Sequence, residues 1–158
     1  MKTSDILDKA RVSYRTYAHE ETYDAQHLAA ALHVPGDNVA KTVLLRADGD
    51  FLHIVAVLPA TAKLDLRRVS SAFGGADIRL ATEIEITAHC PECESGILPP
   101  FGSRFGMKTI VDESLSRHED IFFQGNSHTE AIRLPYSEFA RLEHPLVVDI
   151  VERPVKPK

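Results

Sequence analysis

The sequence predicts a single α/β domain in which helices pack on a mixed β-sheet. Three observations lead there. Stretches with helical and with strand-like periodicity alternate along the chain instead of separating into halves. Two apolar, β-rich runs, Val39 to Ala47 and Phe51 to Leu58, flank Asp48-Gly49-Asp50, a strong hairpin signal. The 158 residues contain no repeat, low-complexity block or interdomain linker, and that length buries a substantial core.

The elements follow in order. Ser4 is placed to cap a first helix, SDILDKA, with Ile6 and Ala10 on one face. Val12 to Ala18 (VSYRTYA) has the β-branched and aromatic content of a strand. Asp24 opens AQHLAAALHV, where Leu28 and Leu32 recur at helical spacing and Pro35-Gly36 ends the run. Beyond the hairpin, Asp65 caps a helix with Leu66, Val69 and Phe73 on one face, closed by Gly74-Gly75. Thr82-Glu83-Ile84-Glu85 fits a capping box, so a short helix runs toward His89 and Pro91 discourages its continuation. Met107 to Val111, Asp120 to Phe123 and Thr129 to Leu134 read as strands, and Ser137 to Leu142 as a last helix. The domain is expected to span residues 1–151, with 152–158 a frayed tail.

Composition removes several function classes. The chain is 44% hydrophobic and 26% charged, which argues against disorder. Its longest apolar runs, such as Ile54 to Leu58, are strand-sized, so no membrane partner is expected. The opening MKTSDILDKA lacks the basic-then-apolar layout of a signal peptide, and the two cysteines stand three apart. A disulfide framework is therefore not expected, and the cytoplasm is the default compartment. The net charge of −5 disfavours a broad grip on duplex nucleic acid but leaves room for a pocket that takes one nucleotide end.

The conspicuous stretch is His89 to Gly102, HCPECESGILPPFG. Its C-x-x-C pair suggests zinc, but structural zinc takes four ligands and no second pair exists. No metal or other cofactor is expected. A catalytic thiol needs a histidine partner in space, and eight histidines make a chance nomination too easy to carry weight. The other half of the stretch is more informative. Gly96 and Gly102 let the backbone approach a ligand, Pro99 and Pro100 stiffen what lies between, and such amides can hold an oxyanion. Its ordinary reading is a rigid connector packed by Phe101. Lys41 shares the strand face of Val39 and Val43, so it must snorkel, pair, or meet an anionic or carbonyl ligand. Gly125-Asn126-Ser127-His128 exposes amides and polar side chains at a turn between strands. Singly, each is more simply a strand-end lysine, a connector or a loop.

In combination and order they are specific. The V-A-K-T-V-L-L strand, the G-x-x-P-P-F-G loop and the F-x-x-G-x-S-H-T segment running into Ala131-Ile132-Arg133-Leu134 resemble the YbaK/prolyl-tRNA synthetase-associated domain family over nearly the whole chain. The resemblance implies a barrel-like mixed sheet flanked by helices, and a deacylase that hydrolyses mischarged aminoacyl-tRNA in the cytoplasm. It implies that Lys41 contacts the aminoacyl or terminal-adenosine end, and that the loop bounded by Gly96 and Gly102, with Pro99, Pro100 and Phe101 inside it, embraces the aminoacyl carbonyl. Gly125, Ser127 and His128 would line the same pocket, and Asn126 stands where many relatives carry a small residue. The implied chemistry uses a placed water and a polarised carbonyl rather than a covalent protein nucleophile, with His128 open between base and anchor. The partners implied are the acceptor end of an aminoacyl-tRNA and, secondarily, an aminoacyl-tRNA synthetase. The competing reading is a non-catalytic binding module for a synthetase or a tRNA end. Amino acid, tRNA and oligomeric state stay open.

Overall fold

The computed structural model describes residues 2–48, 52–91, 97–125 and 127–152. The larger of its two sheets is mixed and contains β2 (Ala40–Ala47), β3 (Leu52–Pro59), β4 (Ile78–Leu80), β5 (Lys108–Asp112) and β8 (Leu146–Val148), in the order β4-β2-β3-β5-β8. The smaller is antiparallel and holds β1 (Arg15–Ala18), β6 (Asp120–Gln124) and β7 (Glu130–Pro135), in the order β1-β7-β6. A parallel bridge between Val39 and Phe122 joins the two. The α/β class and mixed pairing are as the sequence predicts. The curvature falls short of a closed barrel: two sheets meet at that bridge.

The expected hairpin is present, with β2 and β3 in antiparallel register from Ala40↔Pro59 to Ala47↔Leu52. Its turn residues 49–51 lie outside the described residues. Strand β3 explains its own apolar run. Val55 and Val57 join one core with Phe101, Phe123 and Phe139, while Ile54 and Ala56 join a second with Val69, Ile110 and Ile150. A strand covered on both faces needs apolar residues at both parities, so it reads as continuous and not alternating.

Helix ends follow local chemistry. In α1 (Thr3–Lys9) the cap position belongs to Lys2, whose amide donates to Asp5 Oδ2 at 3.0 Å, so Ser4 lies inside the helix. The chain then turns through Arg11 in the left-handed region (φ 58°), and Val12 N–H donates to Leu7 O at 3.1 Å. That closure delays β1 to Arg15. Helix α2 (Ala25–Leu32) starts as expected on Asp24, which accepts from His27 N–H at 2.8 Å. It stops at left-handed His33, just before Val34-Pro35. Helix α3 (Leu66–Ala72) is followed by Gly74 and Gly75 at φ 67° and 86°, where a side chain would be strained. Its cap, Asp65 Oδ1, accepts from Arg67 N–H at 3.0 Å and Arg68 N–H at 3.3 Å. Asp65→Ala is therefore expected to lower stability by ~1 kcal/mol, read as a lower urea midpoint at unchanged slope. The capping box at Thr82 and Glu85 starts α4 (Glu83–His89), and α5 (Tyr136–Glu143) packs Phe139 into the core.

Cys90, buried at the end of α4, is disulfide-bonded, which corrects the expectation of a chain without disulfides. At the C-terminus, Val151 bridges Leu64 and Glu152 N–H donates to Lys63 O at 2.8 Å. Residues 153–158, most of the expected tail, lie outside the described part. No described helix is long and apolar enough to cross a membrane.

Candidate functional site

A cavity of about 200 Å³ opens where the start of α2, the start of β2, the end of β6 and the segment at Ile97-Leu98 converge. Lys41, second residue of β2, lines it half-buried. Burial pulls its ammonium below the ordinary lysine range. Asp24 opposes that shift, and Lys63 adds to it. Asp24 lines the same cavity, and the hydrogen bonds it accepts from the His27 amide and ring hold its carboxyl below the usual range. Leu28, Ile97, Leu98 and Phe123 supply apolar wall, and Tyr23, Thr42 and Gln124 supply polar groups.

The segment after Leu98 serves as the back of the wall. Pro99, Pro100, Phe101 and Gly102 are all buried. The Phe101 ring meets Phe123 at 5.9 Å and Phe139 at 5.6 Å, edge-on to both. Gly102 is required by crowding: a Cβ there would sit 2.5 Å from Thr109 Oγ1 and 3.1 Å from the Met107 carbonyl oxygen. The Gly102 amide donates to Thr109 Oγ1 at 2.9 Å, and that hydroxyl donates to Glu143 Oε1 at 2.8 Å. Glu143, at the end of α5, also accepts from Ser103 N–H and Ser103 Oγ, both at 2.7 Å. Gly102 N–H is thus committed internally, and the prolines have none to give. Among the described residues of this segment, Ile97 and Leu98 are the ones that line the cavity.

The late turn stands one layer out. His128 is 7% exposed, and its Nδ1 lies 3.0 Å from the Thr22 carbonyl, which can only accept. Nδ1 therefore carries a hydrogen and donates to that carbonyl. Thr22 N–H returns a bond to His128 O at 3.0 Å, and the His128 ring packs on Tyr23 at 4.6 Å. His128 therefore ties down the segment that delivers Tyr23 and Asp24. Ser127 Oγ accepts from Thr129 N–H at 3.3 Å, and Gly125 N–H donates to Glu130 O at 2.9 Å, closing the β6–β7 turn.

Of the residues singled out in the sequence, Lys41 lines the cavity. Pro99, Pro100, Phe101 and Gly102 stand behind it, and Gly125, Ser127 and His128 support its neighbours. Gly96 and Asn126 lie outside the described residues. Sequence reasoning missed Tyr23, Asp24 and Gln124 as lining groups. Asp24 carried a signal, since an N-cap faces outward from its helix. Gln124 carried one too, as a polar residue ending the apolar Ile121-Phe122-Phe123 run. Among the described residues, no three His, Cys, Asp or Glu side chains gather as metal ligands.

Comparison with known proteins agrees with the fold. The sequence profile of the aminoacyl-tRNA editing domain matches residues 19–142. The Multifunctional Ser/Thr-tRNA deacylase ProXp-y of Escherichia coli (strain K12) is 23% identical over 147 residues, covering 91% of this chain and 87% of that protein. Among solved structures, hypothetical protein APE2540 shares the fold with a TM-score of 0.84 at 19% identity, covering 94% of this chain and 98% of its own. A structure described as a candidate trans-editing enzyme for prolyl tRNA synthetase gives a TM-score of 0.76 at 18% identity, covering 89% of this chain and 87% of its own. With its fold, its ordered motifs and a profile match over most of its length in agreement, the chain belongs to the aminoacyl-tRNA editing domain family.

Proposed function

We propose that this editing domain works as a free-standing deacylase, removing a small, wrongly attached amino acid from the acceptor end of a tRNA. The observation that carries the proposal is Lys41. A half-buried ammonium, held below the ordinary lysine range by desolvation, faces a small cavity with a largely apolar wall. A cation kept in such a place is most useful where negative charge develops on a ligand.

The aminoacyl ester is already activated, so the protein has to polarise a carbonyl, place a water and exclude larger side chains. Water adds to the ester carbonyl, and charge builds on its oxygen against Lys41 and the Ile97 and Leu98 amides. The C–O bond to the ribose then breaks, and the ribose oxygen leaves with a proton. His128 acts in this scheme as an anchor rather than a base, because its Nδ1 is engaged by Thr22 and Tyr23 covers its ring. The cavity of about 200 Å³ favours small side chains, though an apolar pocket separates neighbours differing by one methylene only about 10- to 200-fold. The relative named as a Ser/Thr-tRNA deacylase makes seryl and threonyl esters the first to offer. A net charge of −5 fits a protein that reads the acceptor end without holding the tRNA body, with a synthetase as a further partner.

The test is a panel of alanyl-, cysteinyl-, seryl-, threonyl- and prolyl-tRNA. At least one small aminoacyl ester is expected to be cleaved well above its rate in buffer. If none is, the deacylase reading fails. Association with tRNA or synthetase at unchanged ester lifetime would then favour the binding-module reading.

A further inference from the structure

One side chain that lines the cavity keeps a polar atom without a hydrogen-bond partner among the described residues. Gln124, last residue of β6, donates from Nε2 to the Thr22 carbonyl at 3.1 Å and to Thr22 Oγ1 at 3.3 Å. A carbonyl cannot donate, so this contact fixes which way the amide points: the nitrogen toward Thr22, the oxygen away. Gln124 Oε1 is shut off from solvent yet accepts no hydrogen bond from the protein. Buried acceptors of this kind are normally satisfied, and on a side chain that lines the cavity a ligand can bring the donor that the described residues do not supply.

The charges around the cavity narrow the donor. Asp24 puts a carboxylate on the same cavity, and its field is felt at Lys41. The site is thus bipolar, with acceptors at Asp24 and Gln124 and a cation at Lys41. A small molecule matching both halves carries a cationic donor close to a carbonyl, which describes the ester of an α-amino acid with its amine free. We propose that Gln124 Oε1, backed by Asp24, seats the substrate's α-ammonium, restricting this site to aminoacyl esters and excluding N-acylated ones, peptidyl esters included. Acylation removes the charge that Asp24 attracts and adds bulk where Gln124 stands. The proposal rests on the deacylase reading for its substrate but is tested by binding, so the two can fail separately.

The probe is a non-hydrolysable amide, alanyl 3′-amino-3′-deoxyadenosine, titrated calorimetrically as the free amine and as its N-acetyl derivative. Seryl versions of both run alongside. The wild-type chain is expected to bind the free amine at least tenfold more tightly than the acetylated form. Gln124→Leu should cut that preference severalfold. Asp24→Asn should also reduce it, and it keeps a good helix cap, so it stays informative if Gln124→Leu does not fold. Equal binding of free and acetylated probes, or binding of neither, overturns the proposal. So does an unchanged preference in the folded variants. Loss of a seryl-over-alanyl preference alone would assign Oε1 to a side-chain hydroxyl, which also overturns it. Selective binding of the free amine without hydrolysis of any mischarged tRNA would instead sink the deacylase reading and leave the ammonium seat standing.

Discussion

Lys41→Ala is expected to lower deacylation of the preferred mischarged tRNA by about 100-fold or more, the scale on which preorganised oxyanion stabilisers act. The same substitution should leave thermal stability unchanged or slightly raised. Burial already disfavours the Lys41 ammonium, so removing it relieves a desolvation penalty and breaks no hydrogen bond or ion pair of Lys41 among the described residues. Loss of activity with an intact melting transition separates a chemical role from a structural one. A parallel loss of both would sink the assignment. Lys41→Arg should not restore the rate, because a wide planar guanidinium does not occupy the place of a compact ammonium.

The pH dependence follows from the same residue. Its pKa is lowered in the folded chain, and in the proposed mechanism the working form is the protonated one. The enzymatic rate, after subtraction of hydroxide-driven hydrolysis, should decline as pH rises through a value below the ordinary lysine range. For stability the sign is opposite to that of a lysine gaining a partner. The folded state disfavours the proton, so the penalty is fully present below the folded pKa and fades as pH climbs toward the unfolded value. Titrating the rate and the urea midpoint on one preparation checks both.

Glu143→Ala should have the largest effect on stability. Glu143 is 8% exposed, and its carboxylate receives three donors: Ser103 N–H, Ser103 Oγ and Thr109 Oγ1. Truncation strands the buried Thr109 hydroxyl, while the donors of exposed Ser103 can turn to water; an unpaired buried donor costs about 1–3 kcal/mol, so a loss of ~2–3 kcal/mol is expected. Thr109→Val breaks the same chain at its middle, leaving Gly102 N–H without its acceptor. Because the two substitutions dismantle one network, the double variant should lose clearly less than the sum of the singles. Urea unfolding of the four proteins measures this. A Glu143→Ala variant within about 1 kcal/mol of wild type would show that the network does not hold the 97–105 segment.

The features that were legible in the sequence are those whose cause is local. Asp24, Asp65 and the Thr82–Glu85 box bond to amides within three residues of themselves, and all three helix starts follow them. Lys41 stood out because its strand neighbours are apolar. Strands β4 and β8 have three residues each, too short for periodicity to register, and exist through pairing with distant partners such as Leu45↔Leu80 and Ile110↔Leu146. The cavity wall was hidden for the same reason. Gln124 and His128 acquire their places from Thr22, 102 and 106 residues away in the chain. Motif recognition led to Gly102 and His128, which geometry puts behind or beside the cavity while their neighbours line it.

The Thr22 carbonyl that receives both Gln124 Nε2 and His128 Nδ1 has a consequence for the order of events during synthesis. Tyr23 and Asp24 leave the ribosome early, and Asp24 can cap α2 through His27 at once. The bonds that tie the preceding Thr22 to Gln124 and His128 form only when the β6–β7 hairpin arrives. A nascent chain interrupted before Gln124 thus has Lys41 and its strand but lacks the β6 part of the cavity wall, which is completed only once the β6–β7 hairpin has been made.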